Sequence, residues 1–176
     1  MVLGAGEIKK KIELGEIEIV PFKEAHLNPN SYDLTLGDKL LILSGSVIDI
    51  KQPPIYEGIS IGEEGIVIEP NKVYLAATLE YTKTLTCVPI IFGKSSLSRL
   101  GLCIHSTGGF GDIGFKGNWT LTLTSTVPIR IYKGMKICQI AYFDINKGGE
   151  EKLYSSEKYQ DSKGINASKF YKEFEK

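Results

Sequence analysis

A chain of 176 residues, 42% hydrophobic and 24% charged, has the composition of one ordinary globular domain, large enough to bury a normal core. Its 21 basic and 21 acidic residues cancel, so no whole-molecule field draws it to nucleic acid or an anionic membrane, and any anion site must be local. The opening residues lack the basic-then-apolar pattern of a signal peptide, and the longest apolar run, Cys87 to Phe92, is far too short to span a bilayer. Cys87, Cys103 and Cys138 form no CxxC pair and sit among apolar residues, which predicts buried thiols in a reduced, cytoplasmic protein.

In chain order, Glu7 to Leu14 alternates Ile8, Ile12 and Leu14 with charges, as a short amphipathic helix stopped at Gly15 does. Ile17 to Val20 reads as a strand ended by Pro21, and Asn28-Pro29-Asn30-Ser31 as a turn. Strand patterning continues through Tyr32 to Leu36, Leu40 to Leu43, Val47 to Ile50, Gly65 to Glu69 and Lys72 to Leu79. It resumes at Trp119 to Thr124, Ile129 to Ile131 and Met135 to Phe143. Many short strands at close spacing predict an all-β barrel or sandwich with short helices. The interior helix candidate is Ser95 to Leu100, with serine as its N-cap. From Asn146 the chain turns polar: residues 163–168 look like a mobile tail, and Lys169 to Glu175 like a short charged end-helix.

Two neighbouring stretches carry candidate chemistry. Gly93-Lys94-Ser95-Ser96, with Arg99 one helical turn further on, combines backbone amides at a helix start with two hydroxyls and two cations, an arrangement suited to phosphate. The spacing is not that of a P-loop, and a capped surface helix is the plainer alternative. Asp112 stands among Gly108, Gly109, Gly111, Gly114 and Gly117; glycine this dense means left-handed backbone or a close approach, and a turn aspartate bonding its own backbone is the alternative. His105, between Ile104 and Ser106, reads as a packing residue. Zinc deaminase ligands are missing from the sequence.

These stretches, with others, resemble the dCTP deaminase and dUTPase superfamily over most of the chain. Asn28 to Gly37 is similar to the first family motif, and Leu75 to Tyr81 to the segment before the phosphate motif. Gly93 to Leu102 is close to G-[RK]-S-S-L-x-R-x-G-L, His105 to Gly117 to H-x-T-A-G-x-I-D-P-G-F-x-G, and Lys133 to Ile140 to P-G-M-x-I-x-Q-L. Lys158-Tyr159-Gln160 resembles the tail that closes over nucleotide in the deaminase branch. The resemblance implies a distorted, jelly-roll-like β-barrel, a single domain over 1–176 whose polar tail (146–176) closes over the site, and a homotrimer with deoxynucleoside triphosphate sites between subunits. It also implies Mg²⁺ bridging the phosphates and supported through water by Asp33; phosphate contacts from Lys94, Ser95, Ser96, Arg99, Gln139, Lys158 and Tyr159; and a base pocket around Gly108, Asn118, Trp119, Thr120 and Thr122.

The departures from the family pattern direct the functional expectation. Deaminases of this family carry a proton-shuttling glutamate where this chain has Thr122, and a threonine hydroxyl is no base near neutral pH. The matching dUTPase aspartate, which activates the water that attacks the α-phosphorus, is kept as Asp112. Gly108 replaces an alanine and Gly111 an isoleucine, which is expected to loosen Asp112; Ser162 replaces a glutamine of the tail; and Trp119 reads as core packing or base stacking. The expectation is a Mg²⁺-dependent dUTP diphosphatase with Asp112 as base. The alternatives are a dCTP deaminase, bifunctional or acting on a modified dCTP, and a non-catalytic deoxynucleotide-binding regulator.

Overall fold

The computed structural model describes residues 1–104, 108–146, 152–156 and 158–175. Helix α1 (Ala5–Glu13) buries Ile8 and ends as its sequence dictates, with Gly15 at φ 70° reversing the chain. Strands follow as β1 (Ile17–Val20), β2 (Leu27–Asn28), β3 (Ser31–Ser44), β4 (Ile55–Ser60), β5 (Ile66–Ile68), β6 (Tyr74–Thr84) and β7 (Cys87–Gly93). The single turn α2 (Ser95–Ser98) then leads to β8 (Leu102–Ile104), β9 (Lys116–Ser125), β10 (Ile129–Ile131) and β11 (Lys136–Asp144). The end-helix is a 3₁₀ turn, Phe170–Glu173.

Nine strands form one antiparallel sheet in the order β7-β11-β3-β6-β9-β8, with β1 added to β6 and β2 and β4 to β3; β5 and β10 pair separately. The sheet curls into a nearly closed barrel, as the alternation predicts. On β9, Trp119, Leu121 and Leu123 point inward and the threonines between them stay half-buried. Tyr32, Leu34, Leu36, Leu40, Ile137, Ile140 and Tyr142 belong to the same core. No helix among the described residues is long and apolar enough to cross a membrane.

Three local expectations need correcting. Val47 to Ile50 is not a strand: β3 pairs with β4 through Ser44↔Ile55, which leaves these residues in the connection, where Val47 is exposed. Cys103 is exposed rather than buried, because β8 is an edge strand that turns Leu102 and Ile104 inward and Cys103 out; Cys87 and Cys138 are buried as expected. Residues 163–168 are no free tail, since Gly164 N donates to Asn118 Oδ1 at 3.2 Å and Asn166 N to Thr120 Oγ1 at 2.9 Å.

Candidate active site

A cavity of about 470 Å³ opens between β9, the glycine turn and the C-terminal segment. Gly108, Asp112, Asn118, Trp119, Thr120, Thr122 and Tyr159 all line it, so residues placed together by sequence do converge. Asp112 is exposed to the cavity and is the one carboxylate among its described lining residues. Sequence reasoning missed Tyr56 and Leu75 from the strands, Val73 just before β6, and Phe110, Phe115, Tyr154, Asn166 and Ser168 from the turn and tail. Phe110 and Phe115 carried a signal in their place inside the glycine motif, and Leu75 in the segment before the phosphate motif.

Asp112 is held by a turn fastened at both ends. Ile91 N donates to Gly109 O at 2.7 Å and Gly111 N to Pro89 O at 2.9 Å, laying the loop along the free side of β7. Beyond Asp112, Gly114 N donates to Thr84 O at 2.8 Å and Phe115 N to Asp112 O at 3.2 Å. A Cβ at Gly109 would run into Ile91 O, and one at Gly111 into Trp119 and Pro89. The glycines therefore tighten the loop instead of loosening it: they are needed for close approach, and the expected freedom around Asp112 is absent.

The opposite wall is the chain's own tail. Asn118 N donates to Ser162 O at 2.9 Å and Asp161 N to Lys116 O at 3.0 Å, so the tail runs parallel to the start of β9. Gln160 fixes it, accepting from Lys116 N at 3.1 Å and donating to Gly114 O at 2.8 Å and Tyr154 O at 3.2 Å. Asn118 and Thr120 consequently serve the tail as well as the cavity. Trp119 is packed rather than presented to a base: it is 7% exposed, its Nε1 donates to Thr82 Oγ1 at 2.8 Å, and its ring lies 4.7 Å from that of Phe115.

The phosphate-type stretch forms a second hollow of about 480 Å³, lined by Lys94, Ser95, Ser98, Cys103 and Gln139 among others. The two hollows share no lining residue. Ser96 on α2 and Arg99 just after it are exposed and line neither, and Lys158 is paired with Glu173 at 2.6 Å. Lys94, not serine, occupies the N-cap position, with no side-chain cap bond, and the turn begins at Ser95. Gln139 is tied to the frame, accepting from Ser31 Oγ at 3.0 Å. His105, with Ser106 and Thr107 of its motif, lies outside the described residues.

Lys94 does not stand free for phosphate. Its Nζ lies 2.5 Å from Asp33 Oδ1, and Lys136 Nζ lies 3.0 Å from Oδ2. Burial alone would raise the Asp33 carboxyl; hydrogen bonds from Lys94 and Lys136, the Lys94 charge and Asn28 outweigh it and hold the group below the usual carboxylate range. With two cations on it, Asp33 does not fit the expected role beside Mg²⁺. No group of three His, Cys, Asp or Glu side chains suited to a metal occurs among the described residues. The described residues thus offer Mg²⁺ no ligand set of their own.

Comparison with known proteins gives this geometry a family. Residues 2–145 match the dCTP deaminase-like family profile. A dUMP-forming dCTP deaminase of Clostridium acetobutylicum is 51% identical over 174 residues, covering 99% of both chains. One from Leptospira biflexa is 46% identical over 176 residues, covering 100% of this chain and 99% of its own. The crystal structure of the Agrobacterium tumefaciens 2'-deoxycytidine 5'-triphosphate deaminase shares the fold, with TM-score 0.65 at 20% identity over 81% of this chain and 48% of that one. These relatives overturn the expectation of a plain dUTP diphosphatase, which gave the Thr122 departure more weight than end-to-end similarity to deaminases. With a family profile spanning most of the sequence and relatives matched over their whole length, this chain belongs to the dCTP deaminase-like family.

Proposed function

We propose that the chain converts dCTP to dUMP. Two waters are consumed: one adds at C4 of cytosine as the amino group leaves as ammonia, and one attacks the α-phosphorus as diphosphate leaves. The observation that carries this reading is identity of 46% to 51% across the full length of proteins named dCTP deaminase, dUMP-forming.

The cavity supports a nucleoside. Its walls are aromatic and aliphatic, with hydroxyl and amide groups at Thr120, Thr122, Asn118 and Asn166, and one carboxylate, Asp112, to take a proton from water. Thr122 supplies a hydroxyl that can orient or relay to a water but cannot itself hold the proton removed from it. Asp112 is the base for attack on phosphorus in this reading.

The phosphates belong to Ser95, Ser96 and Arg99, aided from the tail by Lys158. Because those residues lie apart from the cavity in one chain, we place the complete site between subunits of a homotrimer, one contributing the cavity and its neighbour the serine–arginine turn. Mg²⁺ enters as the counter-ion of the triphosphate, and the setting is the cytoplasm, where deoxynucleotides and reduced thiols occur.

The test is purified protein with Mg²⁺ and dCTP, following ammonia, diphosphate and nucleotide products. Equal yields of ammonia, diphosphate and dUMP are expected. Recovery of unchanged dCTP would overturn the proposal, and nucleotide binding without turnover would leave a binding protein in its place.

A further inference from the structure

Trp119 lines the cavity, yet the proposed reaction gives it no task. Its surroundings are unusually constrained. The indole N–H is committed to Thr82, the backbone N–H to Thr78 Oγ1 at 3.0 Å, and one face to Phe115, itself 6.1 Å from Tyr154. The ring is therefore held on several sides. Its far edge, Cη2, lies where a Cβ at Gly111 would come within 3.0 Å of it, closer than real Cβ atoms approach. Gly111 is also hydrogen-bonded to Pro89 O, so its backbone is trapped between β7 and the indole. The next residue is Asp112.

We propose that Trp119 is a positioning residue for Asp112: the indole is the strut on which the Gly111 backbone rests, and it fixes where the Asp112 carboxylate stands over the nucleotide. This rests on the reading of Asp112 as base for the phosphorus step. Two features that look like separate departures from the family pattern, glycine at 111 and tryptophan at 119, are then one complementary pair. The alternative is a tryptophan that merely fills the core, and product ratios separate the two. A filler stabilises the whole fold, so its loss lowers ammonia and diphosphate release together. A strut acts on the residue beside Gly111, so its loss falls on diphosphate release.

Carbon atoms in contact rest about 3.5–4.0 Å apart, so a methyl group at Gly111 must push ring or loop by on the order of 1 Å. A displacement of that size at a reacting group costs on the order of 10²-fold in rate. Gly111→Ala and Trp119→Phe are each expected to slow diphosphate release from dCTP by that order while ammonia release changes severalfold at most, so that dUTP accumulates. The double variant should lose less than the product of the two single losses, because the smaller phenyl ring clears the methyl while the contact with Pro89 remains. Trp119 is the only tryptophan, so Gly111→Ala also has a readout independent of turnover: a red-shifted emission and faster hydrogen exchange at the Gly111 amide. Equal loss of both products in Trp119→Phe, or unchanged emission and exchange in Gly111→Ala, would overturn the strut. Failure of the parent protein to form dUMP would overturn the proposed function, and the emission and exchange arm would still decide whether the indole supports the Gly111 backbone.

Discussion

Asp33→Asn keeps the shape of the side chain and removes its charge, and its effect can be worked from the ion cluster. The Asp33 side chain is 4% exposed, with Lys94 at 2.5 Å and Lys136 at 3.0 Å, their side chains 24% and 40% exposed. Breaking a fully buried pair costs about 3–5 kcal/mol, because the surviving charge is stranded. Here both lysines reach water, so the loss should be smaller, about 2–4 kcal/mol, still above the ~1 kcal/mol ceiling of exposed pairs. At about 2 kcal/mol per molar urea, the unfolding midpoint at pH 7 should fall by about 1–2 M with unchanged slope. The pH dependence follows in sign. The folded carboxyl sits below its unfolded value of about 3.9, so its stabilisation is complete above that pH and drains away as pH falls through the folded value. The gap between parent and variant should therefore be constant from pH 7 to about 5 and close as the pH drops below about 4. A gap under about 0.5 kcal/mol at pH 7, the scale of an unremarkable surface change, or one that does not narrow in acid, would refute this account of the cluster.

Other outcomes follow from single residues. Thr122→Glu places a carboxylate in the cavity wall and should raise ammonia release from dCTP by ~10²–10⁴-fold, measured directly; an unchanged rate would mean that proton transfer does not limit deamination. The Tyr142 hydroxyl is fully buried with no hydrogen-bond partner among the described residues, and burial pushes its pKa well above the ordinary value. An unsatisfied buried hydroxyl costs about 1–3 kcal/mol, so Tyr142→Phe should leave the melting temperature unchanged or raise it, and a clear drop would reveal a hidden partner. Gln160→Ala removes three hydrogen bonds that tie the tail to the barrel, worth about 1 kcal/mol each. Cleavage of the tail by protease should speed up at least tenfold without a comparable change in global stability.

The fold was legible where burial has a period. On β9, residues 119–124 read as a strand because each inward position is large and apolar and each neighbour is a threonine, and the structure turns them as the pattern says. Val47 to Ile50 shows the limit: four residues of strand-forming composition stay outside the sheet because pairing between β3 and β4, not propensity, decides where the ladder stops. Cys103 fails for a similar reason, since apolar neighbours in sequence say nothing about which side of an edge strand faces the core. The tail was the least legible part. A polar run such as residues 160–166 has no hydrophobic signal, and its docking on β9 rests on backbone groups and on bonds of Gln160, Asn118 and Thr120 that cross more than forty residues.

The glycine turn shows why departures from a motif cannot be weighed one at a time. Taken singly, Gly111 suggests slack around Asp112 and Trp119 suggests an intruder in the base strand. In the fold the bulk of one occupies the space left by the other, and the loop between them is held at Gly109, Gly111, Gly114 and Phe115. Thr122 is different. No other carboxylate joins Asp112 among the described lining residues, and Glu80, the nearest acid in the motif before the phosphate stretch, is fully buried with both oxygens accepting from Thr35. Nothing in the cavity wall offsets that substitution as Gly111 offsets Trp119. Thr122 is therefore the position at which a new carboxylate should change the ratio of deamination to diphosphate release most.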